Sequence, residues 1–407
     1  MKNLLLIFIL CTSISASEEK EVIATLWHEL GHPPIKQNSS LKKVDKVPSI
    51  FKEKSQKKEL SPGQRKIEEI KARNRKLIRE KKVESHASTN IYDQKREGLS
   101  RYKKIIEKTL TEQKNEIEKT RARWKESRRT FLKNIPTYKK NTFEIQSVNS
   151  KSSQKELKLL PENQSLNKGS DYYVIKNAFN INVKDQGKRP TCSAFAGASA
   201  IEILLRQSKS SISVSEQYLY WSSKPYCQKS PCSKKGSWIS FAYDKSISAQ
   251  GFDIPNSVDC PYNAKSEPGN ETQIPLINGC RNGKVKVDRY KKVNSSIELY
   301  NSLNSNHPVI IGVKLSPNFY TTNGIITYQD SLVNGKMDQH ANGHALLLIG
   351  HMKLPKKLRS EGKLCYLAVN SWTKGWGAGG YACITEKWLS KYKVANPFMA
   401  LTKVRSI

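Results

Sequence analysis

The chain has 407 residues, with 70 Lys and Arg against 36 Asp and Glu, which gives a formal net charge of +34. This length suits two domains, or one domain with a long appendage, and a 37% hydrophobic content is low for a chain that is globular throughout. The longest apolar run, Leu4–Leu10, is too short to span a bilayer, whereas the apolar C-terminal half excludes a wholly disordered protein.

Residues 1–17 have the pattern of a signal peptide. Lys2 supplies the positive start, Leu4–Leu10 supplies the apolar stretch, and the small residues Ser13, Ser15, Ala16 and Ser17 offer cleavage points. We therefore expect an exported protein, periplasmic or extracellular, in a compartment that permits disulfides. No transmembrane anchor is expected.

Residues 18–170 form a basic N-terminal region, polar and Lys-rich up to about residue 100, where flexible or weakly helical structure is expected. No Gly or Pro interrupts the chain from Arg101 to Ile135, so the pattern predicts a long amphipathic helix over about 101–135, ending before Pro136. Its apolar residues recur at spacings of four and seven: Tyr102, Ile106, Leu110, Ile117, Trp124 and Phe131. Such a stripe requires a surface to cover it. Residues 146–170 are expected to form a linker.

One motif in this region resembles a zinc-protease signature. The sequence from His28 to His32 fits the pattern in which two imidazoles on one helical face bind zinc. Pro33 and Pro34 follow at once and interrupt any helix. We therefore interpret the motif as a chance match and expect no metal and no cofactor.

Residues 171–407 differ in composition from the preceding region, because short apolar runs replace the polar, Lys-rich sequence. Short apolar runs such as Val309–Val313, Ala345–Ile349 and Cys365–Val369 are typical of strands, and an Ala-rich helix begins at Cys192. Helices followed by strands predict an α+β domain.

Seven cysteines follow the signal segment, an odd number for an exported protein, so one of them is either a flaw, an intermolecular link or a reactive thiol. Six cysteines allow 15 connectivities. If Cys192 is the unpaired one, proximity favours the pairs 227 with 232, 260 with 280, and 365 with 383.

Four side chains make a catalytic constellation in this domain. Cys192 lies at a helix N-terminus, where the positive end of the helix dipole favours a thiolate. His344 opens a strand and can act as its base. Asn370 can hold the imidazole in the useful tautomer, and the Gln186 amide can join the Cys192 N–H in an oxyanion hole.

The segment Val183–Ala196, which reads Val-Lys-Asp-Gln-Gly-Lys-Arg-Pro-Thr-Cys-Ser-Ala-Phe-Ala, resembles the active-site block of papain-like cysteine peptidases, bacterial members in particular. Val214–Leu219, Gly343–Ala345 and the block Asn370-Ser-Trp372 with Gly375-Trp-Gly377 are similar to further blocks of that family. The resemblance covers about residues 171–407. It implies a papain-like two-lobed fold, with a helical lobe bearing the thiol and a β-barrel-like lobe bearing the imidazole.

The resemblance also implies roles. Cys192 attacks a peptide carbonyl, His344 transfers the proton, Asn370 orients His344, and Gln186 stabilises the oxyanion. Substrate binding is expected at Gly236, Ser237 and Trp372, with Ser237 where the family often has a second Gly. The family's Cys-Gly-Ser-Cys-Trp reads Arg189-Pro-Thr-Cys-Ser193 here, so a structural cysteine and a Trp are missing.

These patterns predict an exported cysteine peptidase that acts on protein or peptide substrates, is made as a proenzyme, and is a monomer. By position, the N-terminal region is its inhibitory propeptide. The alternative is a catalytically silent papain-like scaffold, which would bind an anionic polymer weakly through its basic surface.

Overall fold

A computed structural model describes the chain at residues 19, 21–30, 72, 90–140, 157–161, 171–224, 227, 235–248, 252–265, 278–337, 342–394 and 396–407. The expected signal peptide lies outside these residues. The chain divides into two compact units: residues 36–116, and residues 1–35 together with 117–407. Among the described helices, none is long and apolar enough to cross a membrane.

In the larger unit, one twisted sheet of nine strands is formed by the described residues. Along the sheet the order is β2-β3-β9-β4-β6-β7-β8-β5. Strand β1 pairs with residues 350–352 of β6, beyond the residues that pair with β4. All pairs are antiparallel except β5 with β8. The strands are β1 Tyr172–Val174, β2 Ile254–Pro255, β3 Gly283–Val293, β4 Val309–Lys314, β5 Ile325–Ile326, β6 Gly343–Lys353, β7 Leu364–Val369, β8 Tyr381–Thr385 and β9 Phe398–Ser406.

Strands β4, β6 and β7 lie at the centre of this sheet and are buried almost throughout, as their continuous apolar runs predict. Ser and Thr side chains cap several helices: Ser215, Ser295 and Thr385 each accept a backbone N–H in the first turn. After the helical residues 21–29, here α1, the helices are α2 Asn90–Lys140, α3 Cys192–Gln207, α4 Glu216–Ser222, α5 Ser240–Ser248, α6 Ser296–Asn304, α7 Pro317–Thr321 and α8 Glu386–Tyr392.

The long helix differs from its sequence-based bounds, because α2 runs from Asn90 through Pro136 to Lys140. A proline inside a helix removes one backbone hydrogen bond. Here Phe131 and Tyr138, on either side of Pro136, both pack against the Trp372 ring, which holds the helical turn in place. The expected apolar stripe also divides, because Ile106 and Leu110 are exposed whereas Trp124 and Phe131 pack on the core.

Helix α1 is more ordered than its polar surroundings predict. Its apolar side chains are buried in the core: Val22, Ile23, Leu26, Trp27 and, just beyond, Leu30. Glu21 at its start accepts a hydrogen bond from Arg121 Nε of α2 at 2.6 Å. The two helices therefore pack together on the domain.

Part of the expected linker is packed as well. Leu157 and Leu160 are buried, the Leu157 carbonyl accepts from Ser390 Oγ at 2.6 Å, and Leu160 N–H donates to Glu386. The expectation of a linker is therefore wrong for residues 157–161. Two apolar side chains and a buried carboxylate acceptor are sufficient to fix this short segment.

The disulfides agree with pairing by proximity. Cys260 is bonded to Cys280 and Cys365 to Cys383, the latter across β7 and β8. Cys227 is also disulfide-bonded, and Cys192 is the free cysteine among the described residues.

A buried charge cluster ties the segment before α3 to the helical lobe. The Lys184 ammonium donates to Glu202 of α3 and Glu216 of α4, and all three side chains are at most 15% exposed. Burial alone would lower the pKa of Lys184, but the two carboxylates raise it above its ordinary value. The ammonium therefore stays charged between its partners.

We predict that Lys184→Met destabilises the fold by about 3–5 kcal/mol, because it leaves two carboxylates buried without their cation. Urea unfolding followed by tryptophan fluorescence measures this. The triple variant Lys184→Met, Glu202→Gln, Glu216→Gln should regain much of the loss. Equal stability of Lys184→Met and the parent chain would contradict an energetic role for the cluster.

Candidate active site

His344 and Asn370 meet at one end of the central strands β6 and β7. His344 is the second residue of β6, paired with Val313 of β4, and Asn370 directly follows β7. His344 Nε2 lies 2.8 Å from Asn370 Oδ1, which also accepts the Ser371 N–H at 2.8 Å. An amide oxygen only accepts, so Nε2 carries the proton and Nδ1 carries the lone pair. Nδ1 is buried and has no hydrogen-bond partner within the described part of the chain.

Cys192 begins α3 and its side chain is 2% exposed. Backbone N–H groups of Ala345, Ser193 and Cys192 lower the pKa of the thiol against the larger effect of burial, which places the sulfur near the Ala345 backbone. Ala345 is the neighbour of His344 on β6, so the thiol lies against the strand that carries the imidazole. The start of α3 and the start of β6 thus carry the candidate nucleophile and the candidate base.

Gln186 is held beside Asn370 by a short antiparallel contact. Gln186 N–H donates to the Ser371 carbonyl at 2.9 Å, and Thr373 N–H donates to the Lys184 carbonyl. Ser371 Oγ donates to Gln186 Oε1 at 2.7 Å, which fixes which end of the amide is the donor. Ser371 was not singled out from the sequence, although it stands inside the Asn-Ser-Trp block.

Aromatic rings enclose the imidazole. The Trp372 ring centroid is 4.5 Å from that of His344, and the Phe319 ring lies edge-on to it at 5.9 Å. Both rings are fully buried. They exclude water from the His344–Asn370 hydrogen bond, which strengthens it.

The expected substrate-binding residues Gly236 and Ser237 lie near the same helix end. Ile239 N–H donates to Ser193 Oγ at 2.8 Å, which ties this segment to the first turn of α3. Gly236 has φ 73°, a conformation that favours glycine.

Burial controls the charge state of the pair. It raises the pKa of the Cys192 thiol to about 11, although three backbone N–H groups lower it. It lowers the pKa of His344 to about 4, against the raising effect of the Asn370 hydrogen bond. The expected lowering of the Cys192 pKa by the helix dipole is therefore outweighed in this chain, because the site is dehydrated.

The C-terminal part of α2 lies on this site. Phe131 and Tyr138 have ring centroids 6.3 and 5.3 Å from that of Trp372. Burial raises the pKa of Tyr138. The carboxylate of Asp185, the residue before Gln186, raises it further through its charge and a hydrogen bond. The α2 backbone can come this close because residue 375 is glycine. A Cβ on Gly375 would lie 2.3 Å from the Ser127 carbonyl oxygen of α2.

Polar contacts anchor the same helix. Arg128 donates to the carbonyls of Thr321 and Gly375, at 2.7 and 3.3 Å, and to Asn323 Oδ1 at 3.0 Å. Lys139 lies over the Tyr320 ring. Aromatic stacking and these hydrogen bonds together fix residues 124–139 beside Trp372.

The zinc-like motif gains no support from its surroundings. His28 and Glu29 are exposed, and His32 lies outside the described residues. Among the residues that the structure describes, no group of three or more His, Cys, Asp or Glu side chains is placed to hold a metal.

Residues 170–401 match the model of the papain family cysteine proteases. The chain belongs to this family. It is 28% identical over 202 residues to ananain from Ananas comosus, covering 49% of this chain and 50% of that one. It is 26% identical over 209 residues to a cysteine protease from Blomia tropicalis, covering 50% and 56%. The chain thus spans about half the length of the curated relatives it matches.

Solved structures with a similar fold include xylellain, a cysteine protease from Xylella fastidiosa, at 19% identity and a TM-score of 0.48, covering 66% of this chain and 98% of that one. The proform of the ragweed pollen cysteine protease Amb a 11 is 22% identical, with a TM-score of 0.42, covering 58% and 67%. Family membership confirms the expected α+β papain-like fold, with α3 to α5 in the helical lobe and the sheet in the other.

We predict that Cys192 reacts slowly with iodoacetamide in the full chain at neutral pH, because its thiol is neutral below a pKa of about 11. The rate should rise about ten-fold per pH unit above neutrality. His344→Ala should change it little, since the imidazole is neutral above about pH 4. Mass spectrometry of the labelled peptide measures the rate, with Cys192→Ser as the control. A pH-independent plateau between about pH 4 and 8 would instead show a preformed ion pair.

Proposed function

We propose that this papain-family protein is an exported cysteine peptidase that hydrolyses peptide bonds through Cys192, His344 and Asn370. The observation that carries the proposal is the buried His344–Asn370 hydrogen bond of 2.8 Å, beside a buried free cysteine, Cys192, at the start of α3. A thiol nucleophile, a base with a defined tautomer and its orienting amide make the set that acyl transfer needs.

The chemistry follows from the geometry. His344 Nδ1 takes the Cys192 proton as the thiolate attacks the peptide carbonyl, and the resulting oxyanion is held by N–H groups of Cys192 and Gln186. The imidazolium then gives its proton to the leaving amine, and a thioester with Cys192 remains. Water, deprotonated by His344, hydrolyses the thioester and regenerates the thiol. Gly236, Ser237 and Trp372 are proposed to contact substrate.

We also propose that the N-terminal region, residues 18–170 by sequence, is an inhibitory propeptide. The support is the packing of Phe131 and Tyr138 on Trp372, together with the burial of Cys192 and His344 in a chain that retains this region. In the proposed mechanism a substrate must reach Cys192 and His344, and the Phe131 and Tyr138 rings lie on the Trp372 ring that contacts His344. Removal of the helix would rehydrate the site, lower the Cys192 pKa and raise that of His344.

Export is proposed from the signal-like residues 1–17 and from the disulfides, which are typical of oxidising compartments. Weak attraction to anionic polymers follows from the net charge of +34 and needs no dedicated site. A monomer remains the expected state.

A thiol-reactive epoxide inhibitor and a fluorogenic peptide test the enzyme after limited proteolysis of the full chain. Cys192→Ser should abolish both labelling and hydrolysis. Gln186→Ala should lower kcat by about 10²–10³, the effect of losing one oxyanion donor. His344→Ala should lower kcat by at least about 10²–10⁴, since it removes the general base. A processed protein that neither labels at Cys192 nor cleaves any peptide would favour the silent scaffold.

The inhibitory role predicts that Phe131→Ala speeds labelling of Cys192 in the uncleaved chain. Loss of a buried Phe costs about 3 kcal/mol of docking, roughly a hundred-fold in the opening equilibrium. Gly375→Ala, on the surface that α2 covers, should also speed labelling of Cys192, because its Cβ would clash with the α2 backbone. Leu132→Ala, an exposed position on α2, is the matched control. Unchanged labelling in both test variants would remove the inhibition proposal.

A further inference from the structure

The segment between the Asp185–Trp372 contact and the start of α3 carries Gln186 but has no regular secondary structure of its own beyond an isolated bridge. Gly187 within it has φ 59°. An oxyanion donor must nevertheless be held to within a fraction of an ångström. Other contacts must therefore fix the Gln186 amide.

The Gln186 side-chain amide is hydrogen-bonded at both its oxygen and its nitrogen. Its Oε1 accepts from Ser371 Oγ at 2.7 Å, and its Nε2 donates to the Arg189 carbonyl at 2.8 Å. A primary amide has two N–H groups, so one remains to point at a reacting carbonyl. The direction of that N–H is set by where the Arg189 carbonyl lies.

Arg189 is fixed through its side chain, which is 3% exposed. Its Nη1 donates to Gln217 Oε1 at 2.8 Å and to the Asn263 carbonyl at 2.6 Å. The guanidinium also lies over the rings of Tyr220 and Tyr262, at 5.3 and 5.6 Å. The carbonyl, the side-chain amide and the two ring faces together hold the guanidinium in one orientation and so fix the backbone of Arg189.

Tyr262 closes the arrangement. Its hydroxyl donates to the Gln186 carbonyl at 2.8 Å and lies 2.8 Å from Thr191 Oγ1. A phenol has one hydrogen, so Thr191 donates in the second contact. One hydroxyl thus bridges Gln186 and the residue before Cys192. Tyr262 is two residues from Cys260, whose disulfide to Cys280 anchors this brace.

We propose that Tyr262 and Arg189 are positioning residues that aim the remaining Gln186 N–H at the oxyanion of the substrate. The buried Arg189 side chain fixes the position of the Arg189 carbonyl, which accepts one of the two Gln186 Nε2 hydrogens. The Tyr262 hydroxyl fixes the distance between Gln186 and the start of α3. The named hydrogen bonds of Arg189 and Tyr262 end on Gln217, Asn263, Gln186 and Thr191, and not on the sulfur or the imidazole. The proposal rests on the proposed peptidase function.

Tyr262→Phe is the main test, because it removes one hydroxyl and keeps the ring under Arg189. The processed enzyme is compared in two reactions, both normalised to Cys192 content. Hydrolysis of a peptide amide needs an oxyanion donor, whereas alkylation by an epoxide forms no oxyanion at a carbonyl. We expect kcat for the amide to fall roughly ten-fold, less than the loss of a whole donor, with KM and the epoxide rate within about two-fold. Binding of a peptide aldehyde, which forms such an oxyanion, should weaken by a similar factor.

Arg189→Lys keeps the charge but loses the planar fork, so it should show the same selective loss. Tyr392→Phe is the matched control, since it removes a buried tyrosine hydroxyl, which donates to the Ser331 carbonyl, from the other lobe. Its amide and epoxide rates should match those of the parent enzyme.

Hydrogen exchange in the uncleaved chain gives a readout that needs no activity. Tyr262→Phe should speed exchange in peptides covering 186–191, and Tyr392→Phe should not. Equal losses of amide hydrolysis and epoxide labelling, or unchanged hydrolysis, or unchanged exchange at 186–191, would each overturn the positioning role. Failure of the parent enzyme to label at all would instead overturn the proposed function.

Discussion

The site depends on one short antiparallel contact, in which residues 184–186 pair with residues 371–373. These two segments are almost two hundred residues apart, and the contact joins the segment before α3 to the segment after β7. It brings Gln186 to Ser371 and therefore next to Asn370. The buried Lys184, held by Glu202 and Glu216, prevents the first of these segments from moving away from the helical lobe.

Dehydration decides how this site behaves. The same burial that strengthens the His344–Asn370 hydrogen bond disfavours both members of a thiolate–imidazolium pair, so the pKa values of Cys192 and His344 move away from neutrality in opposite directions. A helix dipole and three backbone N–H groups do not outweigh that effect. In the proposed peptidase, access of water to the site sets the charge state of both groups, and α2 packs on Trp372, whose ring contacts that of His344.

In the basic N-terminal region, the apolar periodicity of α2 does not decide which of its apolar side chains are buried. Periodicity predicted a long helix, and α2 has that character, but its exposed Ile106 and Leu110 belong to the same apolar series, with spacings of four and seven, as its packed Trp124 and Phe131. What distinguishes the second pair is the surface beneath it, where glycines at 375 and 379 leave room for the helix backbone and an indole ring. That surface is formed by residues far away in the sequence, which also explains the continuation through Pro136.

The sequence alone determined the family and the α+β class, and it predicts the four candidate site residues, because each chemical role demands a residue type in a recognisable local setting. It also indicated the disulfides at 260–280 and 365–383 by proximity. Only the tertiary structure decided the parts that depend on distant neighbours: the charge state of Cys192, the grip of Ser371 on Gln186, and the brace formed by Arg189 and Tyr262. Burial, electrostatics and hydrogen-bond direction are properties of surroundings, and the fold assembles those surroundings from segments that no local pattern connects.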